Sequence, residues 1–136
     1  MGSLDRDGRT PLSHAAGSGH GGVVKMLLDG GGVRPDFPDK NGWTPFAYAA
    51  GCGRKGVVVI FLERGNINPD LSDPRGRTPL SYAAEFGHEG VVRVLVGRGD
   101  VNPASPDCHG YTPFWYAGLL GHTGVQRLLS EPRPFS

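Results

Sequence analysis

Residues 76–96 read GRTPLSYAAEFGHEGVVRVLV, and the chemistry of this stretch specifies two short helices separated by a turn. Thr78 followed by Pro79 marks a helix start, because the threonine hydroxyl can accept from a free amide and proline at the first helical position sacrifices no hydrogen bond. Leu80, Ala83 and Ala84 follow at i, i+3 and i+4, and Gly87 ends the first helix. A second helix is predicted from about Gly90 to Val96. Val91, Val92, Val94, Leu95 and Val96 bury most of its circumference, and Arg93 faces water.

The same stretch returns along the chain. Thr-Pro stands at positions 10, 44, 78 and 112, a constant step of 34 residues, and other columns keep that step: Asp5, Asp39, Asp73, Asp107; Gly8, Gly42, Gly76, Gly110; Ala15, Ala49, Ala83, Ala117; Val23, Val57, Val91, Val125. Four copies, about 5–38, 39–72, 73–106 and 107–131, make one repeat domain of the 136 residues. Residues 1–4 read as a cloning remnant and 132–136 as a C-terminal tail.

A period of 34 also belongs to tetratricopeptide repeats, so the segments between helix pairs must decide. Gly30, Gly31, Gly32, Pro35, Pro38 and Gly42 lie between Leu28 and Thr44, and residues 97–111 hold Gly97, Gly99, Pro103, Pro106 and Gly110. Prolines and glycines in such numbers defeat a helix. Each unit therefore carries an extended, turn-rich finger.

With a Gly turn, a TPLxxAA-like helix start, a Gly-His turn, a second helix and a glycine stop, the unit resembles the ankyrin repeat. All four copies carry the pattern: GRTPLSHAAGSGHGGVVKMLL, GWTPFAYAAGCGRKGVVVIFL, GRTPLSYAAEFGHEGVVRVLV and GYTPFWYAGLLGHTGVQRLLS. The chain departs from the family in two ways. Ser13, Ala47, Ser81 and Trp115 stand where the family places a His, and the period is one residue longer, the extra residue falling in VRPDFPD, INPDLSD and VNPASPD. In its near-identical copies the chain is similar to the tandem ankyrin arrays of fungal multidomain signalling proteins. The resemblance implies an all-α repeat solenoid of four stacked repeats, each a helix-turn-helix with a finger loop or β-hairpin. It also implies a concave face of fingers and first helices that binds another protein.

Helices of about two turns do not persist alone, so each copy must lean on its neighbours. The last copy should differ where it would meet a fifth, and it does: Val24, Val58 and Val92 give way to Gln126, and Leu28, Leu62 and Val96 to Ser130. These two polar residues share a helix face and are expected to form a solvent-facing cap, with Pro132 and Pro134 stopping the helix. The first copy has no such cap, and an upstream extension is expected there.

Composition narrows the function further. A net charge of +1 is far from the basic excess that marks a duplex-binding domain, and no apolar run is long enough to span a bilayer. Neither nucleic acid nor membrane is the expected partner. Two cysteines, Cys52 and Cys108, are too few for a disulfide framework, which suits a reducing, cytoplasmic setting.

Stretches that suggest chemistry have plainer readings. Gly51 to Gly56 and Gly17 to Gly22 satisfy GxGxxG, but they follow a helix where a dinucleotide fingerprint must follow a strand. His20, His88 and His122 fall in one column, yet successive copies lie ~10 Å apart, several times a metal–nitrogen bond. The resemblance gives this His a bracing role at the interhelical turn, with Arg54 in its place in copy two. For Cys108-His109, sequence neighbours in a turn, no orienting acid or oxyanion site can be assigned from the sequence. No catalytic, cofactor or metal residues are expected.

Binding residues are sought where the copies vary. The position before each Thr holds Arg9, Trp43, Arg77 and Tyr111, and Arg, Trp and Tyr dominate binding hot spots. The pair before each turn reads Gly17-Ser18, Gly51-Cys52, Glu85-Phe86 and Leu119-Leu120, and the finger tips carry Phe37, Leu71 and Ser105. Arg9, Trp43, Arg77, Tyr111, Phe86, Leu120, Phe37 and Leu71 are the expected contacts. Arg54-Lys55, with Arg75 and Arg77, is a further candidate for an acidic stretch of the partner. The alternative role is a spacer or weakly self-associating segment of a larger signalling protein, with Trp115 and the apolar run 57–62 as the sticky elements.

Overall fold

The computed structural model describes residues 8–31, 35–65 and 67–130. Residues 1–4, the tail 132–136, Asp5 of the aspartate column and Gly32 of the first finger lie outside them.

Eight helices occur among the described residues, two per copy. They are α1 (Pro11–Ser18) and α2 (Gly21–Asp29), α3 (Pro45–Gly51) and α4 (Lys55–Arg64), α5 (Pro79–Glu85) and α6 (Glu89–Val96), and α7 (Pro113–Leu119) and α8 (Thr123–Ser130). Every first helix begins as the Thr-Pro reading requires: the hydroxyls of Thr10, Thr44, Thr78 and Thr112 accept from the amides of Ser13, Ala47, Ser81 and Trp115 at 3.1–3.2 Å. Gly19, Gly53, Gly87 and Gly121 then take positive φ, +74 to +79°, and turn the chain into the second helix.

The helices form two layers. First helices pack in the order α1, α3, α5, α7 and second helices in the order α2, α4, α6, α8, each pair also joined across its own turn. Leu12, Phe46 and Leu80 from the first layer and Val24, Val58, Phe61, Val92 and Leu95 from the second are almost fully enclosed. Burial of this kind contributes ~1.5–3 kcal/mol per large side chain, which is what two-turn helices need from their neighbours.

Each finger ends in a tight turn rather than a strand pair, and no strand occurs among the described residues. The amides of Asp39, Asp73 and Asp107 donate to the carbonyls of Trp43, Arg77 and Tyr111 at 2.9 Å. The same three aspartates accept, through Oδ1, from the amides two and four residues on, at 2.8–3.0 Å. Through Oδ2 they accept from the hydroxyls of Tyr48, Tyr82 and Tyr116, nine residues on. One carboxylate thus closes the turn and fastens it to the helix behind it.

Successive copies approach so closely that their glycines are structural. A Cβ on Gly53 would stand 2.6 Å from Nδ1 of His88, and one on Gly19 would stand 3.0 Å from Cδ of Arg54. His88 Nε2 lies 3.0 Å from the carbonyl of Gly51, and Arg54 Nε donates to the carbonyl of Gly17 at 3.0 Å. The turn histidine therefore braces one copy against the preceding one, not the turn within its own copy. Arg54 makes the equivalent bond in copy two.

Candidate partner-binding face

The finger bases bring Trp43, Arg77 and Tyr111 beside aromatic side chains of the first helices. Trp43 projects from the finger base of copy two and lies between two tyrosines, with ring centroids 5.0 Å from Tyr48 and 4.3 Å from Tyr82. Arg77 repeats the placement one copy on, its guanidinium carbon 4.0 Å from the centre of Tyr82 and 3.7 Å from that of Tyr116. Tyr111 has no further tyrosine beyond it and stacks on Trp115 at 3.9 Å and 14°. A continuous ladder of rings, with one guanidinium inserted, runs from Tyr48 to Trp115.

Trp43 and Arg77 each meet the residue at the end of their own first helix. The Trp43 ring covers Gly51, where a Cβ would stand 3.0 Å from Cζ3. Arg77 pairs with Glu85 at 2.7 Å. In these two middle copies a large ring meets a glycine and a cation meets an acid. This complementarity was present in the sequence as Trp43/Gly51 and Arg77/Glu85, eight residues apart, but it becomes legible only once the helix end is known to lie beside the finger base.

The expected contacts fall into three groups. Tyr111, Phe86, Leu120 and Leu71 are exposed, and with Trp115, Leu119 and Phe114 they concentrate apolar surface toward the last two copies. Trp43, Arg9 and Phe37 are half-buried. Arg77 is only 9% exposed. Its Nε donates to Ser81 Oγ at 3.0 Å, and Nη2 reaches the Ser81 carbonyl as well as Glu85. Arg77 organises the face from within, because its charge and hydrogen bonds are already used.

The aspartate–tyrosine fastening is the part that sequence reasoning missed, although a Tyr column at 48, 82 and 116 was there to signal it. Burial, and then the hydrogen bond to Asp73, push the Tyr82 hydroxyl up to about 12, against the opposing Arg77 charge. Burial and the bond to Asp107 push Tyr116 up to about 12 as well. Burial works to raise the Asp107 carboxyl, but the Tyr116 hydroxyl and the Tyr111 and His109 amides outweigh it and hold the group below the ordinary carboxylate value.

The copies are not joined alike at their finger turns. Cys108 N donates to the Arg75 carbonyl at 2.8 Å and ties the turns of copies three and four. The equivalent residue of copy three is Pro74, which has no amide hydrogen, so this link is missing between copies two and three. An open groove of about 400 Å³ lies there, lined by Asn41, Trp43, Tyr48, Asp73, Arg75 and Tyr82. Arg75 is exposed on its rim, whereas Arg54 is engaged with Gly17 and the Lys55 stem lies over Gly90, where a Cβ would stand 3.3 Å from Cδ.

Among the described residues no group of three or more His, Cys, Asp or Glu is arranged to hold a metal ion. No helix of the described residues is long and apolar enough to cross a membrane. A family model described as ankyrin repeats (3 copies) matches residues 1–73 and 65–134. No curated protein matches the chain.

Proposed function

Because this chain belongs to the ankyrin-repeat family, whose members are in general protein-interaction modules, we propose that it is a non-catalytic domain that binds another protein through its finger and first-helix face. One observation carries this reading: the finger-base residues that differ from copy to copy, Trp43, Arg77 and Tyr111, alternate with the repeated Tyr48, Tyr82 and Tyr116 in one connected strip, while the other repeated residues are spent on caps, turns and core. A scaffold whose constant parts hold it together and whose variable parts share a face is built for recognition, and rings with polar edges suit that use. Trp43, Tyr111 and Phe86 are the central contacts, with Leu120, Leu71, Phe37 and Arg9 at the margin and Arg77 holding the strip in shape. The exposed free thiols of Cys52 and Cys108 fit a reducing, cytoplasmic compartment.

The test is affinity capture from the source organism with the wild-type domain and with Trp43→Ala/Tyr111→Ala. The partner should be retained by the first and lost by the second at unchanged helical content. Equal retention refutes the face.

Self-association is a second reading with its own observation. Val23 and Met26 are exposed at one end of the stack and Phe114 at the other, and the columns of Val23 and Phe114 are covered in the other copies. Sedimentation at several concentrations separates the two roles, since a recognition module sediments as a monomer throughout.

A further inference from the structure

We propose that the front of the first copy is a docking surface for the rear of a second ankyrin-repeat chain, one that carries apolar residues where the last copy here carries Gln126 and Ser130. The proposal goes beyond the finger-face reading and does not depend on it.

Burial along the columns separates residues that face a preceding copy from those that face a following one. Val125 has no copy after it among the described residues and is 1% exposed, whereas Val23, in the same column of the first copy, is 45% exposed. Leu128 and Met26 repeat the contrast at 9% and 72%. Both columns are therefore met by the copy before them, and a direct contact agrees: a Cβ on Gly21 of copy one would stand 3.3 Å from Cδ1 of Ile60, the residue of the Met26 column in copy two. The column of Leu12 and Phe114 runs the other way, enclosed in the first copy and exposed in the last, so it is met by the copy behind. Val23 and Met26 are thus the front half of a junction that closes three times within the molecule.

His20 belongs to the same half. At the interior junctions its column reaches back one copy: Arg54 Nε donates to the Gly17 carbonyl, and His88 Nε2 lies 3.0 Å from that of Gly51. His122 sits against Gly87, where a Cβ would stand 2.7 Å from its Nδ1. His20 is exposed, and among the described residues no preceding copy offers it a carbonyl.

The rears of the first three copies define what fits this half. Each has a glycine of positive φ, Gly19, Gly53 or Gly87, that leaves room for the incoming ring or guanidinium. Each is also apolar in the second layer, where Val24, Val58 and Val92 are fully enclosed and Leu28, Leu62 and Val96 pack against the core. The chain's own rear meets the first need, since Gly121 has a φ of +76° and nothing within 4 Å. It fails the second. Gln126 and Ser130 would be carried from water into an apolar contact, which is unfavourable unless every polar atom is paired there. The occupant is therefore a different ankyrin-repeat chain with an uncapped rear. The contact is heterologous, front to rear, and the capped rear of this chain ends any row that it joins.

The probe is this chain with Gln126→Val/Ser130→Leu, which gives its rear the residue types of the interior copies, and Val23→Lys/Met26→Lys, which blocks its front. Circular dichroism checks that its helical content matches the wild type. Mixed with the unaltered chain, it should sediment as a one-to-one complex, at least tenfold tighter than the wild type forms with itself or with a Val23→Lys/Met26→Lys chain that keeps its native rear. Using that two-lysine chain in place of the wild type should abolish the complex, and His20→Ala in the wild type should weaken it several-fold. A folded probe that forms no complex overturns the proposal. So does a complex that survives the two lysines on the accepting chain, or a native rear that pairs within tenfold as well. Should the four changes lower helical content, Gln126→Val/Ser130→Leu alone decides: that chain has both halves open and must assemble front to rear as its concentration rises, and continued monomeric sedimentation overturns the proposal.

Discussion

The first and last copies show the two halves of a contact that the middle of the molecule keeps closed. Val23 in α2 is 45% exposed, whereas Val57 and Val91 in the same column are 2% and 1%. At the other end Phe114 is 45% exposed, whereas Phe46 and Leu80 are 2% and 0%. The residues are of one kind and only their neighbours differ, so burial here belongs to the junction and not to the copy. The two ends are also treated differently. The last copy places Gln126 in the neighbouring column of Val24, Val58 and Val92, where its Nε2 reaches the Phe114 carbonyl at 3.5 Å, and Ser130 Oγ donates to the Gln126 carbonyl at 2.7 Å. The first copy keeps Val23 and Met26 bare.

If junctions carry the stability, equal changes in one column must have unequal effects. Leu80→Ala should cost about 2–5 kcal/mol in urea unfolding, since it leaves a cavity between two copies. Phe114→Ala removes a larger ring and should cost less than about 1 kcal/mol. Equal losses would break the comparison, because they would mean that a copy stabilises itself.

A second contrast concerns the turn glycines. Gly53→Ala must accept a φ of +75° and a clash with His88, and should cost more than about 2 kcal/mol. Gly121→Ala has nearly the same φ, +76°, but nothing within 4 Å of the new methyl. Its cost should be the backbone strain alone, about 1–2 kcal/mol. The difference between the two measures how much the closeness of copies adds.

How much of this was readable beforehand follows the same division. The Thr caps, the glycine turns and the four copies were legible because each depends on residues within a few positions of one another. That Trp43, Tyr111 and Phe86 vary within a fixed frame was legible as well, and their part in binding is what we propose. Arg77 looked like its column mates but is enclosed, because Glu85 and Ser81 meet it within its own copy and Tyr116 covers it from the next. The His88 bond to Gly51 spans 37 residues, so the interhelical turn that this histidine braces is the preceding copy's, which the sequence did not specify. Sequence patterns report on the capping and turning of the chain, whereas side-chain partners such as Glu85 for Arg77 and Gly51 for His88 emerge only once the helices are placed.

The finger fastening should behave the same at the end as in the middle, because its partners lie within one copy. Asp107 is held below its ordinary value in the native state, so its contribution is present above the unfolded carboxylate range and is lost as pH falls through the lower native value. Protection of the His109 and Tyr111 amides from exchange should persist near neutrality and fall below about pH 4. Asp107→Asn should remove that acid dependence. At the alkaline limit, Tyr82 and Tyr116 stay protonated in the folded state up to about 12, so their contribution holds below the unfolded value near 10 and is lost between the two. Interior Tyr82 and terminal Tyr116 should therefore titrate together by ultraviolet absorbance. A separation of more than a unit would show that the fastening, like the packing, depends on a neighbour.

The smallest effect is expected at the bare end, and it is the most discriminating between roles. Val23→Lys/Met26→Lys places two charges where the side chains already meet solvent, so unfolding free energy should move by no more than about 0.5 kcal/mol per site. The equivalent change at Val91, enclosed between copies, would bury an unpaired ammonium and should prevent folding. If the domain associates through its ends, the double variant abolishes concentration-dependent sedimentation while its melting curve stays in place. If recognition runs through the ring ladder, the variant sediments as the wild type does and retains the captured partner, because neither residue lies on the finger face. The two readings of the molecule thus part at a site where stability itself is nearly silent, and a change in assembly cannot be mistaken there for a loss of fold.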